Sequence, residues 1–98
     1  MAEVDVDAVA AVVEALPAVR SLSGGRFGEV ATYLPGRRVQ GVRVRDERVE
    51  VHVVAGPGVP LPVVGTTVRG AVLPLAGGRA VDVHVDDIDV PMSTGGRS

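Results

Sequence analysis

The chain has 98 residues, 46 % of them hydrophobic but only 2 % aromatic, and a formal net charge of −2. That length holds one small domain and excludes a multi-domain enzyme, while the near-neutral balance excludes the broad basic surface of a non-specific nucleic-acid binder. All ten basic residues are arginine, and the absence of cysteine removes disulfides, thiol nucleophiles and thiolate metal sites together and suits a reducing compartment.

Taken in chain order, the acidic stretch Met1 to Asp7 lacks the basic region of a secretory signal. No apolar run approaches the roughly 20 residues needed to cross a bilayer, so a cytoplasmic chain is expected. Val9, Val12, Val13 and Leu16 fall at i, i+3, i+4 and i+7, the stripe of a first helix. Asp5 or Asp7 is placed to cap it, and Pro17 stops it because proline disfavours a helical conformation in the residue before it. Val19 to Leu22 reads as a short strand, Ser23-Gly24-Gly25 as a turn, and Glu29 to Leu34 as a strand closed by Pro35-Gly36.

Val39 to Arg45 and Arg48 to Val54 alternate strongly, and a two-residue loop at Asp46-Glu47 would join them as a hairpin. In that register Val44 faces Val49 and Val42 faces Val51, on one side of the sheet with Val53, while Arg43 lies across from Glu50 on the other side, near Arg45 and His52. After Gly56-Pro57-Gly58, Leu61, Val64, Val68, Val72 and Leu75 recur at helical spacing, with Pro60 or Pro62 in the first turn and Pro74 limiting the end. Gly77-Gly78 leads into a last strand, Ala80 to Ile88, with Val81, Val83 and Val85 inward and Asp82, His84 and Asp86 outward. The segment Pro91 to Ser98 is polar and reads as a disordered tail.

The composition and element order predict an α+β fold: a small two-layer sandwich in α-β-β-β-α-β order, a three- to four-stranded sheet with both helices on one face. Residues 1–90 are expected to form the single domain and 91–98 the tail.

Chemistry-bearing residues are sparse. His52 and His84, with Asp82, Asp86, Asp87 and Asp89, supply nitrogen and oxygen donors, but alternation on strands is what a solvated sheet face displays, and no metal or cofactor is expected. Ser21, Ser23, Thr32, Thr66 and Thr67 have no histidine placed by sequence as a base, and no GxSxG elbow occurs, so no catalytic residue is assigned and the chain reads as a non-enzyme. The candidate site is instead an interaction face of Arg43, Arg45, Glu50, His52, Asp82 and His84. Gly25-Arg26-Phe27-Gly28 matches the GxxG loop of KH domains, and with Arg37 and Arg38 it forms the alternative reading, a KH-like RNA-binding loop of Gly25, Arg26, Gly28, Arg37 and Arg38.

The stretch Gly28 to Val39 (GEVATYLPGRRV), with Gly41-Val42-Arg43-Val44 and Val49 to Val54 (VEVHVV), resembles the alkaline shock protein family of bacterial envelope stress proteins. Gly58-Val59-Pro60-Leu61-Pro62 and Val81 to Ile88 (VDVHVDDI) are similar to that family's second helix start and closing strand, so the resemblance spans about residues 17–90. It implies a small cytoplasmic α/β protein without enzymatic chemistry, self-assembling into a homo-oligomer. It also implies attachment to the inner face of the membrane through an integral membrane protein, as a scaffold or adaptor of the envelope stress response.

Overall fold

The computed structural model describes residues 3–25 and 28–88. Arg26 and Phe27 of the glycine loop and the expected tail, Pro91 to Ser98, lie outside the described residues.

Helix α1 spans Val6–Glu14 and begins where its cap requires: the Asp5 carboxylate accepts a hydrogen bond from the Ala8 N–H at 3.1 Å, satisfying one of the free donors of the first turn. Val6, Val9 and Val13 are buried, and Val12 and Leu16 pack against the same core from its rim. Asp5→Ala is therefore expected to lower stability by about 1 kcal/mol. A lower urea midpoint at unchanged slope would show it, and an unchanged midpoint would mean that packing alone sets the helix start.

The strands are β1 (Val19–Leu22), β2 (Ala31–Leu34), β3 (Arg37–Gln40), β4 (Val42–Val44), β5 (Arg48–Ala55) and β6 (Ala80–Ile88). Helix α2 spans Leu61–Val72 and runs into a short 3-10 turn, Leu73–Leu75. The main sheet is built on β5. On one flank β1 pairs antiparallel with Val53 to Ala55 and β4 pairs antiparallel with Val49 to Val51; on the other flank β6 runs parallel to the whole strand. Both helices lie on one face, α1 over β1 and β4 and α2 over β6, and they touch each other. The α+β sandwich with both helices on one face matches the expectation.

The hairpin register also matches: Val42 pairs with Val51, Arg43 with Glu50 and Val44 with Val49. Arg45 N–H donates to the Arg48 carbonyl at 2.8 Å, so the loop is the two residues Asp46-Glu47. Neither has a positive φ, which rules out the type I′ and II′ turns that best fit strand twist. The approach to β6 holds this turn in place: Arg79 Nε donates to the Arg45 carbonyl at 3.0 Å and Ala80 N–H to the Glu47 carbonyl at 3.1 Å.

One expectation is corrected. Val39 to Arg45 is not one strand; it breaks at Gly41 into β3 and β4, which belong to different sheets. Gly41 has φ +86°, and its N–H donates to the Val30 carbonyl while its own carbonyl accepts the His52 N–H, both at 2.8 Å. The Ser23 N–H donates to the His52 carbonyl, also at 2.8 Å. Strands β1 and β4 are thus two collinear halves of a single edge, and residues 23–41 form an excursion that leaves and rejoins it opposite His52. The excursion carries a two-stranded sheet, β2 with β3, turned at Pro35-Gly36 with Gly36 at φ +76°, as a type II turn demands. The expected strand from Glu29 starts only at Ala31, because Val30 bonds Gly24 and Gly41 instead of a ladder partner.

The core is made of valine. The largest fully buried side chains are nine valines, from α1 (Val9, Val13), β4 (Val42), β5 (Val49, Val51, Val53) and α2 (Val64, Val68, Val72). Ala55 and Ala76 fill the narrow places, and Val83 and Val85 of β6 close the rim. A second correction concerns α2: Leu61 was expected on the buried stripe, yet it is 44 % exposed. Leu61 lies on the same stripe as Val68 and Val72, but it is the first residue of α2, so its exposure follows from its place at the helix end and not from the face it occupies.

Candidate functional site

The face of the sheet turned away from the helices gathers the six expected interaction residues. Strand alternation places them there, since every buried valine of β5 has a polar neighbour pointing the opposite way. Glu50 is held between two arginines, with Arg45 Nε at 3.5 Å and Arg43 at 3.9 Å, and Arg43 also donates to the Glu29 carbonyl at 2.7 Å. Arg48 reaches Asp82 across the parallel pair at 3.4 Å.

His52 and His84 are register partners on β5 and β6, and their rings stack with centroids 4.4 Å apart and planes 13° from parallel. His52 Nδ1 lies 2.8 and 3.0 Å from the two oxygens of Asp86, which as acceptors fix Nδ1 as the donor and leave Nε2 unprotonated when the ring is neutral. Asp86 reaches this position because of a bulge. Val53 pairs with Val85 and Val54 with Asp87, so Asp86 is the extra residue of β6.

Arg48 was missed as a site residue, and Asp86, named among the outward oxygen donors, was left out of the interaction face. Alternation alone puts residues 82, 84 and 86 on one face, but only the parallel register of β6 on β5 shows that His84 meets His52 and Asp82 meets Arg48. Among the described residues no group of three or more His, Asp or Glu side chains is arranged to hold a metal ion. Two of the hydroxyls serve the backbone: Ser23 Oγ accepts the Gly25 N–H at 3.1 Å and Thr32 Oγ1 donates to the Val42 carbonyl at 2.6 Å. A groove of about 410 Å³ beside the start of α1 is lined by Glu3, Val4, Asp5, Val6, Asp7, Leu34 and Arg37. It is wide open, and two of its carboxylates are engaged, Asp5 as the helix cap and Asp7 with Arg37.

Of the residues of the alternative RNA reading, Gly25, Gly28 and Arg38 lie together, and Arg37 turns away from them. Arg37 and Arg38 are consecutive on β3 and point to opposite sides of the hairpin, Arg37 to Asp7 and Arg38 to the Gly28 carbonyl and Gln40 Oε1, each 3.2 Å away. Gly25 and Gly28 stand between strands β1 and β2, with Gly28 N–H donating to the Gly25 carbonyl at 3.3 Å, whereas the KH loop joins two helices. Arg26 lies outside the described residues.

Compared with known proteins, the chain matches no family model, no curated protein and no solved structure.

Proposed function

We propose that this chain is a non-enzymatic scaffold or adaptor of the bacterial cell-envelope stress response, as in the alkaline shock protein family it resembles. It assembles with copies of itself and binds a membrane-anchored partner from the cytoplasmic side. The observation that carries this reading is the one-sided sheet. Helices cover one face, while the other presents Arg43, Arg45, Glu50, His52, Asp82 and His84 as a rigid array of alternating charge. Such arrays select partners by charge complementarity. No helix among the described residues is long and apolar enough to cross a membrane, so in this reading an integral membrane protein supplies the anchor.

Reversing Arg43 and Arg45 together to glutamate would place three carboxylates side by side at Glu50, and is expected to weaken assembly with the partner strongly; unchanged assembly would remove the face from the account. The reading as a whole is tested by in-cell cross-linking followed by capture and mass spectrometry. Copies of the chain together with an integral membrane protein are the expected result. Ribosomal proteins or RNA without membrane partners would overturn it in favour of RNA binding.

A further inference from the structure

Among the described residues β6 pairs only with β5, so its other edge runs open along Ala80–Ile88. The Ala80 N–H donates to Glu47 on the β5 side at 3.1 Å, and in a parallel ladder alternate residues turn both backbone groups to the same neighbour. Ala80, Asp82 and His84 therefore bond β5, and Val81, Val83 and Val85 turn N–H and C=O outward. Arg69 Nε, which donates to the Val81 carbonyl at 3.3 Å from α2, marks that open side.

We propose that this edge is closed by a second copy of the chain, β6 against β6 antiparallel, about a two-fold axis normal to the sheet through Val83. The inference rests on the self-assembling reading above and names its surface. An antiparallel pair of identical strands requires that axis, so the copies can differ only in register. Centred on Asp82, the pairing sets Asp82 against Asp82; centred on His84, it sets Asp82 against Asp86 twice. Like charges directly opposite oppose pairing. Centred on Val83, it sets Asp82 of each copy against His84 of the other, and Val81 against Val85. The three outward-turned valines then exchange backbone hydrogen bonds with one another.

The helix layer supports the same axis. Gly65, Arg69 and Leu73 share one side of α2, and the reach of Arg69 to the Val81 carbonyl puts that side above the open edge. Leu73 is 54 % exposed there, and a Cβ built at Gly65 would meet nothing within 4 Å. The two-fold brings this side of the helix towards its copy, adding contacts to a backbone ladder that is small by itself.

The chain has no cysteine, so single cysteines report the register directly. Asp82→Cys and His84→Cys sit at outward-facing strand positions and leave the valine core intact. Opposed residues that do not share hydrogen bonds lie close enough for a disulfide. Mixed under a mild oxidant, the two variants are expected to give about tenfold more cross-linked dimer than either alone. Predominant cross-linking of D82C with itself, or of H84C with itself, overturns the register. Assembly of the unmodified chain in solution with no cross-link in any mixture overturns the proposed pairing while leaving the scaffold reading standing; a chain that stays monomeric and captures no copy of itself in cells overturns both.

Discussion

Gly41→Ala should be among the most damaging single substitutions in this chain, costing about 3 kcal/mol and lowering the thermal midpoint by roughly 12–20 °C. Two effects add. At φ +86° an L-residue is strained, and an added Cβ would lie 2.9 Å from Leu22 Cβ, 3.0 Å from the His52 carbonyl oxygen and 3.1 Å from that of Ser23. The last two are backbone atoms of the junction where β1, β4 and β5 meet, so relief requires breaking the hydrogen bonds that bring the chain back into the sheet. Gly36→Ala separates the two effects, because Gly36 has a similar φ of +76° and nothing within 4 Å of the added carbon. It is expected to cost only about 1 kcal/mol. Equal losses in the two variants would mean that the excursion does not clamp the sheet edge.

Val51→Ala is the second large effect, at about 2–3 kcal/mol. Val51 is fully buried at the centre of β5, paired on one side with Val42 and on the other with Val83. Among the described residues nothing larger than valine is fully buried, and short β-branched side chains have one stiff torsion each, so the neighbours cannot swing into the void. A chemical denaturation midpoint that moves by the equivalent of under about 1 kcal/mol would show that this core collapses more easily than its composition implies.

Much of this architecture is legible in the sequence where a period is clean. Val42, Val44, Val49, Val51 and Val53 alternate without exception, and that alone sets the β4–β5 register and the position of Glu50 between its arginines. The break at Gly41 was legible in principle: the apolar positions are odd at Val39 and even from Val42, a change of parity that one continuous strand cannot hold. Helical periodicity could not separate Leu61 from Val64, because both fall on one apolar stripe and only the extent of the core beneath α2 decides how far along the stripe is covered. The His52–His84–Asp86 group needed the parallel register and the bulge at Asp86, both long-range features with no local signature. The face was readable residue by residue, and its pairing was not.

For the proposed assembly through this small one-sided sheet, the experiment to make first is sedimentation equilibrium of the full chain from micromolar to near-millimolar concentration. The average mass is expected to rise with concentration to twice that of the monomer, and to stay at the monomer value in Val83→Pro, which removes an outward N–H that bonds nothing in β5. The monomer mass across the whole range, or an equally strong rise in Val83→Pro, would contradict it.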